Sequence, residues 1–205
     1  MTQPGTPAMQ DLVIDTKVWS GRDIRLRSVT RDDGPLLREG MARLSPEARY
    51  FRFFSGAQEL PDRVVETLLD VDGIDHVAWG ALDCDDPGAA AIGIVHAIRT
   101  DHDELLEYSA VVLGDYQGQG ISKLLSAILF AQCLSIGETM LTAHVLEENR
   151  RVKSYVAELG AERHASSGQI AEYRIDLAEA LSTLREQDIA GSERVFDALS
   201  PYLAQ

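Results

Sequence analysis

The 205 residues include 45% hydrophobic and 25% charged side chains, the balance of a folded chain long enough for one ordinary domain and not that of a disordered one. With 19 Lys and Arg against 33 Asp and Glu the net charge is −14, which repels phosphate backbones, argues against nucleic acid as a partner and favours cationic ones. No run approaches the length of a membrane span, Met1–Gln10 lacks the basic-then-apolar pattern of a secretory signal, and Cys84 and Cys133 are too few for a disulfide framework, so a cytoplasmic location is expected.

Residues 1–20, with Gln3-Pro4-Gly5-Thr6-Pro7, read as a flexible tail. Ile24–Val29 alternates in the manner of a strand, and Asp32-Asp33 then open a helix carrying Leu36, Leu37, Met41 and Leu44. Ser45-Pro46 starts the next helix, with Ser45 as cap and Pro46 at the first helical position. That helix, with Tyr50, Phe51, Phe53 and Phe54, is apolar over much of its circumference, and Pro61–Leu69 reads as another. Beyond Asp72-Gly73 the texture is strand-like. His76–Leu82 and Ala91–Arg99 flank a turn at Asp85-Asp86-Pro87-Gly88, Thr100-Asp101-His102-Asp103 makes a second turn, and Leu105–Leu113 follows as a third strand. From Gly120 the period becomes helical, with Ile121, Leu124, Leu125, Ile128 and Leu129 on one stripe and Gly137 as the stop. Met140–Leu146 is a strand and Asn149–Leu159 a helix ending at Gly160; Glu162–Ala165 and Ile170–Leu177 form a closing hairpin. A C-terminal extension, residues 178–205, predicts two short helices, the second capped by Ser192, able to cover the domain or to mediate a homodimer. The strand–helix–strand crossover between Leu105 and Leu146 requires a parallel pair in an otherwise antiparallel α/β sheet.

The segment Gln117-Gly118-Gln119-Gly120-Ile121-Ser122 joins a strand directly to a helix. The first turn of a helix leaves N–H groups unpaired, and its dipole attracts anions. Gly118 and Gly120 remove side chains that would keep the backbone away from a phosphate. A dinucleotide fingerprint would need glycine where Lys123 stands, and no Gly-Lys-Ser/Thr of a P-loop is present. Gln117-x-x-Gly120-x-Ser122 is close to the Gln/Arg-x-x-Gly-x-Gly/Ala loop that cradles the pyrophosphate of coenzyme A, the alternative being an ordinary helix entry with a glycine turn.

With Leu44-Ser45-Pro46-Glu47-Ala48-Arg49-Tyr50-Phe51-Arg52-Phe53-Phe54, Leu106–Val112, the Gln117–Ser122 loop and Val145–Arg150 in this order, the chain resembles the GNAT superfamily, most closely its bacterial Pat-type protein lysine acetyltransferases. The resemblance spans Ile24 to Leu177. It implies a GNAT domain over residues 21–177, a mixed, mostly antiparallel sheet of about seven strands with helices on both faces, and acetyl-CoA as acyl donor without a metal. It further implies that Val111, Val112 and Leu113 line the pantetheine, that Gln117, Gly118, Gln119, Gly120, Ile121 and Ser122 hold the pyrophosphate, and that Asn149 helps to hold the cofactor. Ser122 replaces the usual Gly or Ala, and the family's tyrosine acid falls on Val156, with Tyr155 one position off, which leaves the general acid unassigned.

Acyl transfer from a thioester to an amine needs a base, because a lysine amine with a pKa of about 10.4 is protonated at neutral pH. Glu107, mid-strand among apolar residues and matching the catalytic glutamate of the Pat-type enzymes, is the candidate; the alternative is a glutamate facing solvent. A backbone N–H near Val111 or Val112 would serve the oxyanion, the resemblance implying a splay or bulge after Val111 that frees it. Cys133 reads as core, acidic neighbours disfavour a thiolate at Cys84, and His96, His102 and His144 lack metal-ligand spacing. The expected function is acetyl transfer to an amine, a protein lysine first. A small amine (antibiotic, polyamine or amino acid) is the second reading, and a non-catalytic acyl-CoA sensor the third.

Overall fold

The structure, a computed structural model, describes residues 8–53, 61–100 and 104–203. Phe54, His102 and the Gln3–Pro7 segment lie outside the described residues. In chain order, β1 (Val13–Lys17) and β2 (Asp23–Ser28) precede three helices, α1 (Gly34–Ala42), α2 (Pro46–Phe53) and α3 (Asp62–Leu69). The meander β3 (His76–Asp83), β4 (Ala91–Arg99) and β5 (Leu106–Val112) leads into α4 (Ile121–Ser135), β6 (Met140–Leu146) and α5 (Arg150–Glu158). The hairpin β7 (Glu162–Ser167) and β8 (Ile170–Asp176) is followed by α6 (Leu177–Glu186) and α7 (Ser192–Leu203).

The sheet has eight strands, ordered β1-β2-β3-β4-β5-β6-β8-β7, one more than the sequence suggested. The addition is β1, which lies inside the segment read as a tail. Its pattern is a single alternation, with Ile14 and Thr16 buried and Val13, Asp15 and Lys17 exposed, too short to stand out from its neighbours. It pairs antiparallel with β2 from Val13–Arg27 to Lys17–Asp23, and the Thr16 hydroxyl donates to the carbonyl of Gly191 near the other end of the chain.

Residues opposite one another in a sheet share a face. Trp79, Val95 and Ala110 lie in one such row, and Gly80, Ile94 and Val111 in the next. The Trp79 row faces α4: the Trp79 indole donates to Gln132 of that helix at 2.7 Å, and Tyr108 packs on Phe130 with ring centroids 5.4 Å apart. The Gly80 row faces α1, whose Gly40 and Met41 line the same small apolar cavity as Ile94 and Val111. Helices therefore cover both faces, as expected.

α4 departs from the amphipathic stripe that its sequence suggests. Eleven of its fifteen residues are buried, among them Ser126, Ala127, Gln132 and Cys133 off that stripe. The sheet covers one side, and α6 and α7 pack on another, with Leu181, Leu184, Val195 and Leu199 buried. α2 is the opposite case: none of its residues is fully buried, because it lies over β5 with Ala48 and Phe53 against the core and Phe51 on the wall of a cleft.

Candidate functional site

The site begins where two strands part. β5 and β6 pair in parallel only at Leu106–Leu141 and Glu107–Thr142, although β5 runs on to Val112 and β6 to Leu146. The β4–β5 register is unbroken from Arg99–Leu106 to Gly93–Val112. The opening is therefore a splay that starts after Glu107, not the distortion after Val111 that the family resemblance implied. The Leu113 amide donates to Ile92 at 2.9 Å on the next strand. By alternation the Val111 amide also turns to β4, and the amides of Ala110 and Val112 turn into the gap. Of the two amides named from sequence, only that of Val112 is available to a ligand.

A cleft of about 830 Å³ runs from this gap to the start of α4. It gathers Glu107, Val111, Val112, Gln117, Gly118, Gly120, Ile121, Ser122 and Asn149. Two expected residues are not on its wall. Leu113 is buried and lines the small apolar cavity under α1 instead. Gln119 points to the β1–β2 turn, where its Oε1 accepts from the Ser20 amide at 2.9 Å.

Gly118 and Gly120 adopt φ of +76° and +85°, a left-handed backbone that glycine adopts without a steric penalty. Gly120 is the N-cap of α4 and uses no side chain to cap it. Among the described residues, the amides of Gly118, Gln119, Gly120, Ile121 and Ser122 donate no backbone or side-chain hydrogen bond. Five successive unpaired N–H groups at a helix N-terminus form an anion cradle. Gln117 braces it, donating to the Val112 carbonyl at 2.9 Å and accepting from Arg151. Lys123 in the first turn donates to Gln187 at 2.8 Å and pairs with Glu158 at 2.9 Å.

Glu107 and His144 lie on the α2 side of the sheet, with His144 Nδ1 3.4 Å from Glu107 Oε2 and the glutamate side chain 33% exposed. Arg52 of α2 completes the group. Burial pushes its guanidinium pKa down to about 10 while the Glu107 charge pulls it up, so it stays cationic at neutral pH. On the α4 side Tyr155 lines the cleft. Its hydroxyl lies 2.7 Å from Ser126 Oγ and 3.5 Å from the Tyr108 hydroxyl, and donates to the Ser122 carbonyl at 3.3 Å. Burial raises the Tyr155 pKa, partly offset by these hydrogen bonds, so the phenol keeps its proton at neutral pH. Val156, at the family position for the acid, is buried. Asn149 lines the cleft from the cap of α5, with its Oδ1 accepting from Val152 at 3.1 Å.

Tyr155, His144, Arg52 and Trp19 are site residues that sequence reasoning passed over or left without a role. Tyr155 carries a faint signal, an aromatic one position from the family's acid. The others become neighbours only when separate elements pack. Cys133 is fully buried, and burial pushes its thiol up to about 12, too high for a nucleophile at neutral pH. Burial, opposed by Arg25 and reinforced by Asp15, Asp23 and Asp83, also raises the exposed Cys84. His96 is not in the cleft; its Nδ1 lies 2.9 Å from His76 Nε2, and His76 Nδ1 is 3.2 Å from the Asp70 carbonyl. A carbonyl only accepts, so His76 is protonated on Nδ1 and His96 donates from Nδ1. Burial pushes both imidazoles below their usual pKa.

The GNAT domain of S. lividans PAT superposes on 84% of the chain and 99% of its own length with a TM-score of 0.73 at 23% identity. The chain has the GNAT fold. A spermidine N-acetyltransferase from Vibrio cholerae, solved with CoA and spermine, shares this fold at a TM-score of 0.58 and 15% identity, over 77% of the chain and 98% of its own. A cAMP-binding acyltransferase from Mycobacterium smegmatis aligns over 92% of the chain and 56% of its own at a TM-score of 0.55 and 21% identity. Acetyltransferase PA5475 of Pseudomonas aeruginosa is 29% identical over 105 residues, which are 51% of the chain and 56% of that protein. The match thus spans about half the length of this curated relative. No protein-family profile matches the chain.

Proposed function

We propose that the chain is an N-acetyltransferase using acetyl-CoA, with a protein lysine side chain as acceptor. The observation that carries the reading is the continuity of one cleft from five unpaired amides at the α4 N-terminus to two strands splayed at Ala110 and Val112. A diphosphate fits the first, and an extended amide-bearing chain fits the second by pairing with strand edges. Similarity to an acetyltransferase of Pseudomonas aeruginosa and to GNAT structures, one of them solved with CoA, supports the same donor. No helix among the described residues is long and apolar enough to cross a membrane.

The acyl donor, when bound, supplies an activated carbonyl and a thiolate leaving group. Glu107 takes the proton from the attacking amine, on the α2 side of the sheet, with His144 beside it. One of the Val112 and Ala110 amides, which lie two residues apart and cannot both reach one atom, donates to the oxygen where charge develops, already oriented by the strand. Tyr155, protonated at neutral pH and held on the cleft wall by Ser122, Ser126 and Tyr108, gives the proton at sulfur. The acceptor assignment rests on the resemblance of the Ser45–Phe54 segment to Pat-type enzymes. A small polycation is the second reading, favoured by Glu47, Glu107, Glu158 and Asp188 on the cleft wall.

Glu107→Gln tests the mechanism. Acetyl-CoA affinity by calorimetry should stay within a few-fold while turnover drops by about 10²–10⁴-fold, the usual contribution of a general base. Unchanged turnover would remove Glu107 from the reaction. An acceptor panel of lysine-containing folded proteins and free polyamines decides between the two acceptors.

A further inference from the structure

Trp19 is one of two tryptophans, and the two have opposite surroundings. Trp79 is fully buried and bonded to Gln132. Trp19 is 56% exposed although it is among the largest apolar side chains. It sits at the tip of the β1–β2 hairpin and lines the same cleft as the anion cradle. The tip is held in place: the Gly21 amide donates to Val18 at 2.8 Å, Val18 is buried, and the Ser20 amide donates to Gln119 within the cradle. A Cβ added at Gly120 would lie 4.0 Å from the Trp19 indole nitrogen and 2.7 Å from Ile189 Cγ2. The indole and Ile189 thus flank the helix entry, with Asp188 beside them on the cleft wall.

This inference rests on the acetyl-CoA reading. A ligand with its diphosphate on residues 118–122 and its thioester between the splayed strands must send its nucleoside out beside Gly120. That end offers an anchored, half-exposed aromatic surface and a carboxylate. The carboxylate repels a ribose phosphate, whereas every nucleobase has a face that stacks on an indole. We infer that Trp19 is the adenine-stacking residue of the donor site, and that the β1–β2 hairpin and the α6–α7 connection together form its nucleoside end.

The test compares acetyl-CoA with acetyl-phosphopantetheine, which lacks the adenosine bisphosphate and keeps one phosphate, by calorimetry on the wild-type chain, Trp19→Ala and Trp19→Phe. Loss of a base–aromatic stack should weaken acetyl-CoA binding to Trp19→Ala by roughly 5- to 150-fold. Trp19→Phe should stay close to wild type, and acetyl-phosphopantetheine should bind all three alike. Acetyl-CoA should also quench indole emission in the wild type and not in Trp19→Phe, where only buried Trp79 remains. Equal acetyl-CoA affinity in wild type and Trp19→Ala overturns the assignment while leaving the donor reading intact. So does an equal loss for both ligands, which would mean that Trp19 acts through the cradle and not on the base. A wild-type chain that binds neither ligand overturns the donor reading and this inference with it.

Discussion

Asp83 shows how a single buried charge is accommodated. It is fully buried and accepts from Arg22 at 2.7 Å, from the Tyr116 hydroxyl at 2.7 Å and from the Asp85 amide at 3.0 Å. Burial pushes its pKa up, and the hydrogen bonds with the Arg22 charge outweigh that push, leaving the carboxyl below its usual range. A folded-state pKa below the unfolded one gives stability that is complete above the unfolded value and is lost as pH falls through the folded one. Asp83→Asn should therefore flatten the acid limb of the stability curve below about pH 4, and cost about 1–3 kcal/mol at neutral pH by urea denaturation. Tyr155 makes the complementary case in catalysis. Tyr155→Phe should leave the fold intact, because Ser126 keeps the Ser122 carbonyl and Tyr108 as partners. It should lower turnover by about tenfold or more if the phenol protonates the leaving sulfur, with unchanged acetyl-CoA affinity.

At the scale of elements, the decisive contacts join segments far apart in sequence. Gly191, between α6 and α7, has φ +82°, and a Cβ there would meet Thr16 Oγ1 at 2.4 Å and the Lys17 carbonyl at 2.6 Å. Gly191→Ala combines a left-handed strain with a clash against backbone, so a loss of about 2–4 kcal/mol is expected in the denaturation midpoint. Because the same connection carries Ile189 against Gly120, this variant should also weaken acetyl-CoA binding. The helices and strands of the middle of the chain were legible from period and punctuation: the β3–β4 turn and the stops at Gly137 and Gly160 all stand where composition placed them. β1 was not, since Val13–Lys17 offers only one apolar alternation and owes its strand conformation to β2 and to α7.

For the molecule as a whole, α4 is the pivot, with its N-terminus in the site and its body enclosed by the sheet, α6 and α7. Leu184→Ala, at a fully buried position under this cover, should cost about 2–5 kcal/mol by thermal or urea unfolding. By itself the sequence determined the meander, the parallel crossover and the glycine loop opening α4, because each is written in neighbouring residues through period, turn chemistry and backbone freedom. Only the tertiary structure decided that the strands part after Glu107, that Tyr155 reaches Ser126, that Gln119 turns away from the cleft, and that Trp19 and Ile189 flank Gly120. Those relations depend on side-chain direction and on packing between segments up to 170 residues apart (Trp19 to Ile189), and no local pattern encodes such distances.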